Sequence, residues 1–190
     1  MITLAVDAMG GDAGLAITVP GAVDFLKQQS DVHLIMVGDE AAVRQALSSA
    51  GAPMDRITVC HAAQVVEMDE APQSALKNKK ESSMRIAINQ VKEGNAQAAV
   101  SAGNTGALMA TARFVLKTMA GIERPAIAKF IPSAGNHMTL VLDLGANVDC
   151  NADQLTQFAV IGSELFQALY PDTVSYTTLR AHEPTEHPVC

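Results

Sequence analysis

Residues 100–109 read VSAGNTGALM, and no other stretch of the chain restricts the fold as strongly. An apolar run over residues 96–100 breaks into a glycine-rich turn, then resumes at helical spacing as far as Leu116. Strand, tight loop and helix start in that order aim unpaired backbone N–H groups at one point, which suits an anion the size of phosphate. Gly103 and Gly106 permit close approach and unusual φ, while Asn104 and Thr105 can cap the helix or touch a ligand. A capped strand-to-helix connection that binds nothing explains a single loop of this kind equally well. Residues 140–149, LVLDLGANVD, repeat the design: an apolar strand, Asp143, then Gly145, Ala146 and Asn147 ahead of a helix. Two such loops predict a cleft along one edge of a parallel sheet, because loops after successive parallel strands open on the same side. A length of 190 residues fits one domain.

Strands and helices alternate along most of the chain, which defines an α/β class. Residues 2–8 form a first strand that ends in Asp7 and the turn Gly10, Gly11, Asp12. Residues 19–26 follow as a helix, with Pro20 near its N-terminus. Residues 32–37 read as a strand closed by Gly38, 41–50 as a helix ended by Gly51 and Pro53, and 57–60 as a strand. Residues 65–80 break the rhythm, with Glu67, Asp69 and Glu70 crowded ahead of Pro72 and Lys77, Lys79 and Lys80 behind it. That charge predicts a solvated excursion, either a flap over the cleft or a plain surface connection. A helix from Ser82 to Gly94, the strand into Ser101 and the long helix come next. A strand at 127–131 closed by Pro132, a polar hairpin turn at 133–137, a strand at 141–144 and a helix over 153–169 complete the pattern.

Charge and cysteine usage narrow the partners. The net charge is −7 at pH 7 and the basic residues cluster only at Lys77, Lys79 and Lys80, which argues against nucleic acid. No apolar stretch nears the roughly 20 residues that span a bilayer, and no basic region precedes the first apolar run, so the expected location is cytoplasmic. Cys60, Cys150 and Cys190 lack ligand spacing and predict reduced thiols, without a disulfide framework or a zinc site. His61 is assigned no catalytic role, and His137, His182 and His187 are scattered, so no metal is expected. The chain has no GxxxxGK[ST], which argues against an NTPase, and MGGDAG stands where a dinucleotide fold would carry GxGxxG.

Four blocks in order, LAVDAMGGD, VSAGNTGALM, GIERPAIA and VLDLGANVDC, resemble the bacterial phosphate acyltransferase family over residues 1–169. In that family they would form the first half of a longer protein. The resemblance implies a three-layer α/β/α fold with a mostly parallel sheet, related to phosphate acetyltransferases and incomplete here, and a homodimer. It implies transfer of a long-chain acyl group from acyl carrier protein to inorganic phosphate. A membrane-bound glycerol-3-phosphate acyltransferase would then use the acyl phosphate for phospholipid synthesis, which allows a cytoplasmic protein to associate peripherally with the membrane. No metal or redox cofactor is implied. Phosphate attack on a thioester carbonyl requires a site that holds a multiply charged nucleophile and stabilises an oxyanion.

Residue roles follow from the matched blocks. Ser101, Gly103, Asn104, Thr105 and Gly106 are the candidates for phosphate contact, with Asn104 also a catalytic candidate. Asp7, Gly10, Gly11 and Asp12 either touch substrate or form a turn in which Asp12 caps the helix. Asp143 and Asn147 either orient the donor, with Asp143 as a base, or belong to a structural hydrogen-bond network. Arg124 neutralises phosphate or a carboxylate, or makes a surface salt bridge. Met84, Met109 and Met119 fill the core or contact the acyl chain. After Leu169 the sequence PDTVSYTTLRAHEPTEHPVC departs from the family pattern, with a strand only at 173–179. Residues 170–190 therefore read as an atypical tail of the kind a frameshift or truncation leaves. That keeps an inactive fragment, or a noncatalytic anion- or nucleotide-binding module, as the alternative reading.

Overall fold

The computed structural model describes residues 1–133, 138–145, 147 and 149–171. Residues 134–137 of the turn expected at 133–137, His137 among them, residues 146 and 148, and the tail from 172 onward with its expected strand, His182, His187 and Cys190 lie outside them. The chain divides into two compact units, Met1–Lys117 and Thr118–Cys190, where the sequence suggested a single domain.

The first unit runs β1 (Ile2–Asp7), α1 (Leu15–Gln28), β2 (Val32–Gly38), α2 (Glu40–Ser49), a 3-10 turn (Met54–Arg56) and β3 (Ile57–His61). It continues through α3 (Pro72–Asn78), α4 (Ser83–Lys92), β4 (Ala98–Ser101) and α5 (Thr105–Leu116). Four parallel strands stand in the order β3-β2-β1-β4. Side chains alternate across a strand, so each strand serves two layers. Leu4 and Val6, beside Leu34 and Met36, pack with Val19 and Leu26 of α1 and Val43 and Leu47 of α2. On the opposite face Ala5, Ile35 and Val37 meet Ala87 of α4. Apolar side chains on both faces are what a parallel sheet needs, and the result is helix, sheet, helix.

Two sequence expectations are corrected in this unit. First, α1 starts at Leu15, so Pro20 lies inside the helix instead of near its N-terminus. Gly11 and Gly14 turn the chain at φ 88° and 47°, and Gly14 is the N-cap without any side-chain cap bond, so Asp12 does not cap. Second, residues 65–80 are solvated at Glu67, Asp69, Lys77 and Lys80 as expected but are more than an excursion: they contain α3, and Val66 and Ala75 enter a core with Met84, Ile88, Ala107 and Val115. Met84 is thus a core residue.

The second unit contains β5 (Ala128–Pro132), β6 (Met138–Leu142) and α6 (Ala152–Leu169). Here β5 and β6 pair antiparallel, so the second glycine loop follows a strand of a two-stranded ribbon. The expectation of a parallel strand before this loop is corrected accordingly, since among the described residues β6 pairs only with β5: the strand-loop-helix pattern is local, and strand partnership is not. Asn151 and Gln154 form a reciprocal capping box at the start of α6. Gly162 allows close packing of that helix on β6, since a Cβ there would lie 2.8 Å from Leu142 Cδ1. Among the described residues, no helix is long and apolar enough to cross a membrane.

Candidate functional site

Asp7 and Ser101 are the last residues of adjacent parallel strands and stand opposite each other in register, so their side chains share a face. Ser101 Oγ donates to Asp7 Oδ2 at 2.7 Å, and the Gly103 N–H donates back to Ser101 Oγ at 3.1 Å. The other oxygen, Asp7 Oδ1, accepts from the N–H groups of Gly10 at 3.1 Å and Met9 at 3.3 Å. One buried carboxylate therefore ties the turn after β1 to the loop after β4. Bonds to a carboxylate are stronger than neutral ones, and leaving their donors unpaired in the interior would cost about 1–3 kcal/mol each. The two glycine turns also touch directly. A Cβ on Gly10 would lie 2.5 Å from Asp7 Oδ2 and 3.0 Å from the Gly103 nitrogen, so glycine is required by contact at that position.

Asn104 caps α5, its side chain accepting from the Ala107 N–H at 3.0 Å. Its Nδ2 faces the other way and donates to the carbonyls of Glu67, Met68 and Glu70 at 3.3, 2.9 and 2.8 Å. The amide is spent on capping the helix and clasping the segment before α3, which makes Asn104 a positioning residue. Pro72 completes the clasp, since a Cβ on Gly106 would meet its ring Cγ at 2.8 Å. The sequence reading missed this segment's packing, although Pro72 at the first turn of α3 is a helix-start signal. Among the described residues, no hydrogen bond engages the backbone N–H groups of Thr105 and Gly106, and both residues are exposed. They lie at the positive end of a 12-residue helix.

Beside this loop lies a cleft of about 390 Å³. Met9, Gly11 and Asp12 form one wall, and residues 65–69 form the other. The lining is apolar at Met9, Val65, Val66 and Met68, and acidic at Asp12, Glu67 and Asp69. Gly11 connects cleft and loop, because a Cβ there would lie 3.0 Å from the Ala102 carbonyl oxygen.

The remaining candidates come together in the second unit. Asp143 takes φ 59°, and its Oδ1 accepts from the Asn147 backbone N–H at 3.2 Å and from Asn147 Nδ2 at 2.8 Å. Cys150 Sγ donates to Asp143 Oδ2 at 3.5 Å. Arg124 Nη1 donates to Asn147 Oδ1 at 3.4 Å, and the guanidinium is otherwise exposed. Burial first, then the hydrogen bond to Asp143 and the negative charge of Asp143, push the Cys150 thiol above its ordinary range, against a lowering by Arg124. Both Cys60 and Cys150 are free thiols.

The fold class is layered α/β/α with a mostly parallel sheet, and solved phosphotransacetylases share it. A phosphotransacetylase from Streptococcus pyogenes matches with a TM-score of 0.65 at 19% identity, covering 87% of this chain and 54% of that one. Another, from Staphylococcus aureus, matches with a TM-score of 0.60 at 18% identity, covering 88% and 53%. Identity at that level carries the fold alone. The family comes from the sequence: residues 2–177 match the model described as Fatty acid synthesis protein, and the chain belongs to that family. The phosphate acyltransferase of Neisseria meningitidis serogroup A is 77% identical over 171 residues, 90% of this chain and 49% of that protein. That of Chromobacterium violaceum is 64% identical over 169 residues, 88% and 49% of the two chains. The chain thus spans about half the length of these relatives, and the resemblance read from the four sequence blocks is borne out.

Proposed function

We propose that the chain serves in the transfer of a long-chain acyl group from acyl carrier protein to inorganic phosphate, forming acyl phosphate for phospholipid synthesis. The observation that carries this reading is the start of α5, where the N–H groups of Thr105 and Gly106 are uncommitted on a loop that Asp7 and Ser101 hold rigid. A multiply charged phosphate suits those donors. The acidic lining at Asp12, Glu67 and Asp69 opposes phosphate in the cleft itself, which favours the loop as its seat.

In the reaction a phosphate oxygen attacks the thioester carbonyl carbon, and the carbonyl electrons collect on oxygen as a tetrahedral oxyanion. Collapse of that oxyanion breaks the C–S bond, and the carrier leaves as a thiolate that takes a proton from water. The thioester is already activated, so the scheme uses neither metal nor redox cofactor. Holding phosphate at a fixed angle is the main contribution asked of the loop. In the second unit, exposed Arg124 supplies a charge for phosphate or a carboxylate, and Asp143 with Asn147 stays a candidate for orienting the donor. The same reading assigns a cytoplasmic homodimer that associates peripherally with the membrane, where a glycerol-3-phosphate acyltransferase consumes the product.

The test joins residues 1–169 to the second half of the Neisseria meningitidis relative and measures acyl phosphate from acyl carrier protein thioester and phosphate. Turnover is expected, and Asn104→Ala should lower kcat/KM roughly tenfold or more through misplacement of the loop. A folded chimera that binds phosphate without forming acyl phosphate would overturn the reading in favour of a noncatalytic anion-binding module.

A further inference from the structure

The chain carries a net charge of −7, yet residues 72–117 hold seven of its 13 lysines and arginines, and helices α3, α4 and α5 contain no Asp or Glu. The acids of this span, Glu81 and Glu93, lie outside the helices. Because α3 and α4 both pack on α5, one layer of the first unit gathers the surplus. Its centre is Phe114, which is 51% exposed. Arg85 Cζ lies 5.2 Å from the ring centroid and Lys117 Nζ 4.9 Å, so two cations flank one aromatic ring. Arg85 Nη1 also donates to the Leu76 carbonyl at 3.2 Å, which brings the end of α3 beside them, with exposed Lys77 and, just past the helix, exposed Lys80. Arg113, exposed as well, stands one turn before Lys117. Among the described residues, no carboxylate pairs with any of these five cations. The negative ends of helices favour Lys77, Arg113 and Lys117 singly, but they do not account for the absence of acids from three neighbouring helices.

We infer that this layer docks on an anionic lipid surface, with Lys77, Lys80, Arg85, Arg113 and Lys117 over the lipid phosphates and Phe114 at the edge of the hydrocarbon. The inference rests on the peripheral membrane association proposed above and names the surface that makes it. Each Lys or Arg held near an anionic bilayer strengthens binding about fivefold, so a cluster of five suffices where one does not. The ring selects lipid over an acidic protein. Carboxylates of a protein partner would satisfy the cations but meet the electron-rich face of Phe114, whereas a bilayer offers phosphate to the cations and hydrocarbon to the ring. The acidic remainder of the chain is repelled by the same bilayer, so charge orients the molecule as well as attracting it. The proposed phosphate seat opens α5 and the docking residues close it, which puts the product within about 18 Å of the bilayer, the length of a 12-residue helix.

The experiment measures sedimentation of the full chain, and of the chimera, with vesicles of phosphatidylcholine alone or mixed in equal parts with phosphatidylglycerol. Binding is expected with the mixed vesicles only, and it should fall as added salt screens the charges. Lys77→Glu combined with Lys80→Glu should weaken it by roughly tenfold or more. Phe114→Ala should weaken it by roughly fivefold, and the lysine variant, at exposed positions, keeps the test decisive if Phe114→Ala does not fold. Lys27→Glu, an exposed cation of α1 outside the patch, should change binding by less than about twofold. A loss from Lys27→Glu as large as that from the lysine pair, binding to phosphatidylcholine alone, or binding by the chain but not by the chimera would each overturn the inference. Loss of vesicle binding in the presence of unacylated carrier protein, with the same variants weakening the carrier, would assign the patch to an acidic protein instead. A chimera that forms acyl phosphate without sedimenting would reject the docking surface and keep the transfer reaction. One that sediments with the expected losses but forms no acyl phosphate would do the reverse.

Discussion

The glycine loop after β4 and the glycine loop after β6 are made of the same kinds of residue and are held by different kinds of contact. Asp7 receives Ser101 from a strand 94 residues away, and Asn104 reaches carbonyls 34 to 37 residues back. Asp143 is satisfied by Asn147 and Cys150, four and seven residues onward. The first loop is anchored to a parallel sheet packed on both faces, the second to an antiparallel ribbon whose strands are largely exposed. A loop fixed from several distant points keeps its shape against a charged ligand. The second loop reaches less far: beyond its own residues it is held at Asn147 by Arg124 and Pro125, 23 and 22 residues back, and this difference is measurable.

The largest effect is expected at Asp7. Asp7→Ala strips the partners from three donors in a buried setting and should lower stability by about 3 kcal/mol in urea unfolding. Next comes Gly10→Ala, whose methyl group would collide with Asp7 and the Gly103 backbone and should cost about 2 kcal/mol. A methyl group that fits without loss would show that the two turns are not in forced contact. Asn104→Ala removes a cap worth about 1 kcal/mol and also releases residues 67–70, so amide exchange there should accelerate more than exchange in the body of α5. Uniform acceleration over both would reduce Asn104 to an ordinary cap. Asp143→Gly loses local bonds but relieves a positive φ, and its net effect should stay within about 1 kcal/mol of zero. A loss as large as that of Asp7→Ala would erase the contrast between the loops.

The smallest effect concerns the thiols. Cys60 is raised chiefly by burial and then by Glu93 and Glu40, and Cys150 is raised as well. A raised thiol keeps its proton longer, so the reactive thiolate is scarcer at neutral pH. Alkylation of both by iodoacetamide should be slow near neutrality and should climb only above the ordinary thiol range. Fast labelling at neutral pH would contradict that sign.

Much of the first unit was legible because its signals are local. The apolar runs of β1 and β2, the cap at Asn104 and the break at Gly103 are each written within a few residues. Pro20 misled because proline favours a helix's first turn, whereas here Gly11 and Gly14 begin the helix without a capping side chain for the eye to find. The second unit was harder to read because VLDLGANVD looks the same after a parallel or an antiparallel strand. A cleft was expected but its lining was not legible: Met9 and Met68 both line it, Asn104 holds the Met68 segment, and nothing near either methionine in sequence announces that.

The register of β4 against β1 has a consequence for the order of assembly. The β1 turn is synthesised first, yet its carboxylate has no hydroxyl partner until residues 98–101 dock as an edge strand. Closing so long a loop is slow compared with forming the helices in between, because chain entropy must be overcome before the contact can offset it. The start of α5 is therefore among the last features of the unit to mature. Until it does, a nascent chain exposes the Asp7 carboxylate and an unpaired strand edge together, which makes this the step where a chaperone or an early ligand would have the most influence on yield.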